Sequence, residues 1–319
     1  AARDGAGRPP RLLGPGAPGG PAVVASAQPG VLAEQPELCV LWKPAGWAVW
    51  VGAEGPGSEG YPGEFEEEEA RWGEQVQHWA ARALGGACPV ARDAAAQHGL
   101  AHRLDVGTSG ALLCAKSYRG LYLAQLQFVA QRVRKEYVCL CHGAVDRALT
   151  HLEAPLQPPR KGGSQERTSV GPGGLRSLTE LRGVAHLLSP EGLLSLVEVQ
   201  LRTGRRHQIR VHAAHIGHPT VCDGKYTELA AFQADSGWCP QNFLHRYRLE
   251  FRDAGGAARE VTTPLPEGLV AALASLAPAD AASAGELQCW LSGRGPRDWA
   301  CCEALPAGGA LQEVPRQKK

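Results

Sequence analysis

The amino-acid sequence predicts a mixed α/β (α+β) domain built on a largely antiparallel β-sheet. Short apolar runs with the alternation typical of strands outnumber the segments that have helical periodicity. Strand-like and helix-like segments do not alternate regularly along the 319 residues, which argues against a doubly wound parallel sheet. A hydrophobic content of 44% in a chain of this length is sufficient for a sizeable core.

The first 100 residues contain a low-complexity segment, two candidate strands and one candidate helix. Residues 1–30 are rich in Gly, Pro and Ala without periodicity, so we expect a disordered lead-in before a domain at 31–277. The stretch "ELCVLWKPAGWAVW" predicts a strand, a turn at Pro44–Gly46 and a second strand. An acidic loop follows, and then a helix that ends near Gly85–Gly86. The apolar residues with helical spacing are Val76, Trp79, Ala80, Ala83 and Leu84.

The middle of the chain predicts a strand, a helix and a second strand. "ALLCAKS" and "KEYVCLCHG" have the composition of strands. Between them, "YRGLYLAQLQFVAQR" places Leu121, Ala124 and Phe128 on one stripe of a helix. Residues 155–177 are rich in Pro and Gly and are interpreted as an insertion.

The last third predicts two strands around one helix. "LLSLVEVQLRTG" alternates, which favours a strand with one buried face and with Glu198 and Gln200 on the other face. "RHQIRVHAAHIG" predicts a helix that Gly217 ends, and "NFLHRYRLEF" predicts a strand. Beyond residue 278 the pattern dissolves, so the segment 278–319 is a tail without assigned structure.

Composition limits the class of partner and the compartment. The net charge of +1 provides no general attraction to nucleic acid, so polyanion binding requires a local basic patch. Ten cysteines are irregularly spaced and several lie in apolar runs, which favours a reducing compartment, the cytoplasm or an organelle. No apolar run is long enough to cross a bilayer, so we expect a soluble protein without a membrane partner. The chain has no methionine, so we expect an incomplete translation product, and a targeting segment upstream of residue 1 is left open.

One candidate site is the segment "AHRLDVGTSG", which holds a single carboxylate. Asp105 follows His102 and Arg103 and precedes a run of small residues that lets backbone come close. Taken alone, the segment favours a surface turn closed by an Arg–Asp pair over a functional site.

A second candidate site is "LRTGRRHQIRVHAAHIGHPTVCDGKY". No acid occurs between Glu198 and Asp223, whereas the same span holds four arginines and four histidines. Arginines at the start of a helix favour an anionic ligand such as phosphate, and the alternative is a basic turn exposed to solvent. A metal site is a weaker hypothesis, because no histidine pair has the i, i+4 spacing of a helical zinc site, and we expect no metal.

Together these segments resemble the RluA-type pseudouridine synthases. "HRLDVGTSG", "VRKEY", "LRTGRRHQIRVHAAHIGHPTVCDGKY" and "LHRYRL" stand in the order of that family, with "LWKPAGW" upstream and "VTTPLP" downstream. The resemblance covers roughly residues 36 to 275. It implies the pseudouridine synthase catalytic fold with a central RNA-binding cleft, and an isomerase that acts on ribosomal or transfer RNA without a cofactor. We expect a monomer.

The resemblance also implies roles for individual residues. Asp105 would act at the ribose, Arg210 would lie beside it and keep its pKa low, and Tyr137 would stack on the base or assist proton transfer. His102 and Arg103 would contact the RNA strand or fill the space that a flipped nucleotide leaves. The remaining candidates, for phosphate binding or for bracing the loop, are Arg205 and His207.

The sequence departs from the family pattern at several positions. Val106 and Gly107 replace a charged or polar pair, Cys222 replaces a glycine, and Arg246 stands where a small residue is common. The auxiliary RNA-binding domain that many relatives carry at the N-terminus is not recognised in this sequence. An alternative function is therefore an RNA-binding protein on the same fold with weak or lost catalysis, and a metal-dependent hydrolase is a third hypothesis.

Overall fold

A computed structural model describes residues 27–49, 75–159 and 167–293 of the chain. Most of the expected lead-in, the acidic loop and the end of the expected tail lie outside the described residues. Residues 27–30 are described, and Gly30 begins the first strand. The domain boundaries at residues 31 and 277 remain a prediction.

Most strands of the described part belong to one ten-stranded, mostly antiparallel sheet, in agreement with the predicted fold class. The strands are β1 Gly30–Glu34, β2 Leu38–Lys43, β3 Ser109–Ala115, β4 Arg134–His142, β5 His151–Glu153, β6 Leu156–Gln157, β7 Ser169–Val170, β8 Leu178–Ser189, β9 Gly192–Leu201, β10 Leu244–Arg252, β11 Ala258–Thr262 and β12 Ala277–Pro278. The central path of the sheet is β1-β2-β3-β10-β4-β9-β8-β12, while β11 pairs with β10, β5 pairs with β8, and β6 and β7 pair separately.

Helices connect the strands and cover the sheet. They are α1 Val76–Ala83, α2 Tyr118–Val129, α3 Gln208–His215, α4 Leu229–Ser236, α5 Glu267–Ala274 and α6 Ala281–Leu291, with short 3-10 turns at Pro89–Arg92 and Gln97–Gly99. Among the described helices, none has the length and apolar character needed to span a membrane.

Several sequence patterns predicted their elements correctly. On α2, Leu121 and Ala124 are buried and Phe128 packs against the same apolar cluster, because residues three and four apart share one helical face. Helix α3 ends at His215, and Gly217 follows with a φ of +83°, a left-handed conformation that glycine adopts without strain.

The expected second strand after the Pro44–Gly46 turn is wrong within the described residues. Ala48 forms only an isolated bridge with Gln75, and β2 pairs instead with β1 and β3. The carbonyl groups of residues 48 and 49 accept hydrogen bonds from the N–H groups of residues 76 and 77. The backbone of this segment therefore caps the start of α1, since the first N–H groups of a helix need acceptors outside it.

Strand β9 has two buried faces, and the prediction of a single buried face is wrong. Glu198 is 7% exposed and Gln200 is 4% exposed. The strand lies between β4 and β8 in the interior of the sheet, where neighbouring side chains cover both surfaces.

The described part of the expected tail is structured. The side chain of Asp280 accepts a hydrogen bond from the N–H of Ser283 and thereby caps α6. Leu287 and Trp290 are buried, and Trp290 contacts Tyr247 edge-on with ring centroids 5.0 Å apart. Helix α6 was missed because three of its first four residues are alanine and Gly285 follows them, so the first half of the helix carries no apolar side chain of core size.

The parallel pairing of β3 and β10 positions the candidate site. Ser109 lies opposite His245, and Gly110 lies opposite Arg246. Gly110 has a φ of +132°, and a Cβ atom there would lie 2.3 Å from the carbonyl oxygen of Arg246. Only glycine permits this approach, so the run of small residues after Asp105 brings the start of β3 against β10.

Candidate active site

A buried lysine fixes the loop that carries Asp105. Lys43 is fully buried at the end of β2, and its Nζ donates hydrogen bonds to the carbonyl oxygens of Pro44, Val106 and Thr108 at 3.0, 3.1 and 2.7 Å. The N–H of Gly46 also donates to the oxygen of Val106 at 2.9 Å. The turn after β2 and the loop before β3 are therefore held together, which limits the positions that the carboxylate can take.

The carboxylate of Asp105 faces the guanidinium of Arg210 on α3. Arg210 Nη1 lies 3.3 Å from Asp105 Oδ2, and the two side chains are 12% and 18% exposed, respectively. The structure thus brings together two of the three residues assigned to catalysis from the resemblance.

Arg210 is held from its other side by Asp223, a residue to which the sequence analysis gave no role. Arg210 Nε and Nη2 each donate to one oxygen of the Asp223 carboxylate at 2.7 Å. The same carboxylate accepts the hydroxyl of Thr220 and the N–H groups of Lys225 and Tyr226, at 3.1, 3.0 and 3.2 Å. Asp223 was detectable in the sequence as the acid that ends the basic span, inside "CDGKY".

The surroundings of Asp105 favour its ionised form. Burial by itself would raise the pKa of Asp105. Positive charge on His207, Arg210 and Arg103 lowers the pKa by more than burial raises it, so the pKa lies well below its usual value. Burial also lowers the pKa of His207 to about 3, so that at neutral pH the two arginines are the charged partners. A carboxylate in this position is ionised throughout the physiological pH range.

His207 lies in the turn that leads into α3 and contacts Tyr226. It has a φ of +54°, its Nδ1 is 2.8 Å from the hydroxyl of Tyr226, and the two rings meet edge-on. The guanidinium of Arg210 lies over the ring of Tyr226, 5.1 Å from its centre. Tyr226 therefore contacts both His207 and Arg210. Whether His207 braces the loop or binds phosphate stays a prediction.

Tyr137 lies on β4 and is bonded to a buried arginine. Arg246 Nε donates to the hydroxyl oxygen of Tyr137 at 2.9 Å, and Arg246 Nη2 donates to the same oxygen. Burial raises the pKa of Tyr137, Arg246 acts against that increase, and the negative charge of Asp105 adds to it. Asp105 is close enough to Tyr137 for its charge to act on the Tyr137 hydroxyl.

His102 is bonded to the backbone of β3 and lies beside Arg246. Its Nε2 accepts the N–H of Leu113 at 2.9 Å, its Nδ1 lies 3.3 Å from Arg246 Nη1, and its ring packs against Phe128. Burial and the nearby charges of Arg246 and Lys135 lower the pKa of His102 well below its usual value. These contacts show a neutral His102 that supports Arg246. The role of His102 toward the RNA strand or a flipped nucleotide stays a prediction.

The two remaining arginines lie at the edge of the site. Arg103 is half-buried and contributes positive charge to Asp105. Arg205 is exposed, and its backbone N–H donates to Oε1 of Gln208 at 3.0 Å. Gln208 Oε1 also accepts the hydroxyl of Thr203, so one buried amide organises the turn between β9 and α3. Arg205 is thereby presented to solvent at the start of the helix.

The histidines of the second segment are dispersed. His212 bonds to Thr179 and to the carbonyl of Ala154, whereas His218 bonds to the carbonyl of His142. Within residues 27–49, 75–159 and 167–293, no group of three or more His, Cys, Asp or Glu side chains is arranged to hold a metal ion.

Comparisons with known proteins identify the family of this chain. Residues 38–215 match the RNA pseudouridylate synthase family. An RNA pseudouridine synthase of Chloroflexus aurantiacus, named as uncharacterised, is 37% identical over 180 residues, which cover 56% of this chain and 53% of that protein. Ribosomal large subunit pseudouridine synthase C of Vibrio cholerae is 34% identical over 180 residues, which cover 56% of this chain and 55% of that protein. The chain spans about half the length of the curated relatives it matches.

Two solved structures share the fold. Human RNA pseudouridylate synthase domain containing 1 superposes with a TM-score of 0.58 at 23% identity, covering 79% of this chain and 89% of that chain. For human RNA pseudouridylate synthase domain containing 4, the TM-score is 0.55 at 18% identity, covering 77% of this chain and 93% of that chain. The fold is that of a pseudouridylate synthase domain. With more than half of its residues matched, the chain belongs to the RNA pseudouridylate synthase family.

Proposed function

We propose that this protein is an isomerase that converts specific uridines in RNA to pseudouridine without a cofactor. The observation that carries the proposal is the carboxylate of Asp105, which Arg210 keeps ionised at 3.3 Å in a half-buried site. The reaction breaks the bond between N1 of uracil and C1′ of ribose and joins C5 to C1′. It has no net redox or hydrolytic step, so protein side chains can perform it without a cofactor.

Asp105 acts at the ribose, either as a nucleophile on C1′ or as a base. A glycosidase uses a second carboxyl group to protonate its leaving group. Uracil leaves as a delocalised anion that hydrogen bonds stabilise, and one ionised carboxylate is then enough. Asp223 does not serve as that second acid, because its side chain is fully buried behind Arg210.

RNA is the substrate class that the surrounding residues favour. The target base leaves its stack to reach a half-buried carboxylate, as in other enzymes that act on a base. We assign the ring of Tyr137, which is 4% exposed, to the base, and we assign Arg103 and the exposed Arg205 to the phosphate backbone. We propose ribosomal or transfer RNA as the target and a monomer as the active species.

We also propose a reducing compartment, the cytoplasm or an organelle. The proposal is supported by the cysteines of the described residues, which are all unbridged and, apart from Cys289, buried. An assay of the purified protein with and without a thiol reductant tests it.

Tritium release from RNA tests the proposed function. Ribosomal and transfer RNA transcripts that carry tritium at C5 of uridine lose it when C5 bonds to C1′. We expect release by the purified protein, and pseudouridine at the same positions when RNA from cells with and without the protein is compared. Binding of these RNAs without release or pseudouridine would favour the alternative of an RNA-binding protein on the same fold.

A further inference from the structure

Arg246 is a buried cation beneath the proposed base-binding surface. It is 2% exposed on β10, and besides its two bonds to the hydroxyl of Tyr137 it donates to the carbonyl oxygen of Ala111 at 3.1 Å. Its carbon Cζ lies 4.9 Å from the centre of the Tyr137 ring. Its other polar neighbour is His102. None of these groups is a carboxylate.

Lys135 is a second cation beside it. It precedes Tyr137 by two residues on β4, so the two side chains point to the same face of the sheet. Lys135 is 8% exposed, and its Nζ lies 3.5 Å from the position that a Cβ atom would take at Gly204, in the turn before α3. In the described part of the chain, its ammonium group has neither a hydrogen-bond nor an ion-pair partner.

Two buried cations without a carboxylate are costly unless an anion meets them in the working state. Burial and the charge of Arg246 lower the pKa of Lys135 to about 8, which still leaves it mainly protonated at neutral pH. The neutral His102 and Tyr137 add no counter-charge, and Asp105 is already paired with Arg210. The missing negative charge therefore has to come from outside the protein.

The proposed reaction supplies such an anion. When the N1–C1′ bond breaks, its electron pair stays on uracil. In the same step the carboxylate of Asp105 becomes neutral, because it either forms an ester bond to C1′ or takes a proton from the ribose. One negative charge thus moves from Asp105 to uracil, and Arg210 remains paired with Asp223. When C5 then bonds to C1′, the ester bond to Asp105 breaks, or the proton on Asp105 returns to the ribose, so Asp105 regains its negative charge. N1 then gains a proton and C5 loses one, which completes the isomerisation.

We propose that Lys135 and Arg246 form a cationic pair that stabilises the departing uracil anion. This inference rests on the proposed function. Lys135 acts as a substrate-binding residue on the same face of the sheet as Tyr137. Arg246 is a positioning residue that acts through Tyr137: because it donates to the hydroxyl oxygen, the O–H hydrogen of Tyr137 is directed away from Arg246 and is available to the base. The buried charge costs stability in the empty protein and is compensated as the anion forms.

The experiment compares single-turnover rates on RNA transcripts that contain uridine or 5-fluorouridine, with protein in excess. Fluorine withdraws electrons and stabilises the uracil anion, so bond cleavage then depends less on the protein's cations. We expect Lys135→Met and Arg246→Met to slow loss of the uridine nucleoside by ~100-fold, as when one transition-state donor is removed. We expect a smaller loss with 5-fluorouridine, and recovery of much of the uridine rate in Lys135→Arg.

Controls separate this effect from misfolding and from failure of the proposed function. Arg259→Ala removes a positive charge from β11, where Arg259 pairs with Asp253, and should leave both rates within about twofold of wild type. Thermal unfolding of each variant checks its fold, and Lys135→Met remains informative if Arg246→Met does not fold. If the wild type is active and the variants lose the same factor of rate on uridine and on 5-fluorouridine, the inference of a cationic pair is overturned and the proposed function stands. A wild-type protein inactive on all transcripts overturns the proposed function and this inference with it.

Discussion

The carboxylate of Asp223 holds the guanidinium of Arg210 by two hydrogen bonds of 2.7 Å. In this ion pair Asp223 is fully buried and Arg210 is 12% exposed, and Nη1 of Arg210 remains directed at Asp105. Arg210 can therefore support the ionised form of Asp105 and still be paired when Asp105 becomes neutral. A bidentate pair of this kind fixes the orientation of the guanidinium plane as well as its position.

We predict that Asp223→Asn weakens both the fold and the reaction. Removing one partner of a buried ion pair destabilises a protein by about 3–5 kcal/mol, because the other charge remains buried without its partner. Arg210 is then drawn toward Asp105, and we expect a single-turnover rate at least ~10-fold lower. Urea unfolding and the rate on an RNA transcript measure the two effects. The matched control is Asp280→Asn, which breaks an exposed pair with Arg147 and should change neither by much.

We predict that Arg210→Ala and Arg206→Ala have different effects. Loss of Arg210 leaves Asp105 without its nearest cation, so the pKa of Asp105 rises and the acidic limb of the pH–rate profile moves to higher pH. Arg206 lies half-buried in the turn before α3, four residues before Arg210, and we assign it to the phosphate backbone of RNA. Its loss should therefore leave the rate at saturating protein nearly intact and weaken RNA binding. The slope of the logarithm of the RNA-binding constant against the logarithm of the salt concentration should then become shallower by about one unit, because one phosphate contact is lost. If Arg206→Ala shifted the pH–rate profile and Arg210→Ala only weakened RNA binding, the roles given to the two arginines would be wrong.

We predict that the free energy of unfolding decreases as the pH falls from 6.5 to 4. Burial lowers the pKa of His245 to about 4, and the pKa of His102 and of His207 is lowered as well. The unfolded chain therefore binds protons that the folded protein does not bind, so stability is lost as the pH falls through this window. Urea unfolding across the window should show a shallower slope in His245→Gln and an unchanged slope in the control His151→Gln, where the histidine is exposed.

We predict that activity persists in excess chelator and that no stoichiometric zinc co-purifies with the protein. The physical reason is that the proposed isomerisation needs no metal-activated water and no Lewis acid at a phosphate. Metal content by mass spectrometry and tritium release with and without chelator measure this. Loss of activity on chelation, restored by one particular metal, would favour the metal-dependent hydrolase.

The sequence was sufficient to predict the sheet and the pairing of Asp105 with a basic turn, but not the supporting contacts. Alternation and helical spacing are local signals, and they located β3, β4, β9, α2 and α3. The burial of Glu198 depends on which strands flank β9, and the cap that residues 48 and 49 give α1 depends on tertiary approach. Arg246 and Tyr137 are 109 residues apart, so no pattern within a short window joins them.

The most direct test of the central claim is the single-turnover rate of Asp105→Asn on an RNA transcript that the wild type converts. The substitution removes the charge of Asp105 and keeps its shape, so the fold and RNA binding should survive. We predict a loss of pseudouridine formation of at least ~10³-fold, because the group that acts at the ribose is itself removed. A variant with intact RNA binding and a rate near that of the wild type would contradict the assignment of Asp105 as the catalytic residue.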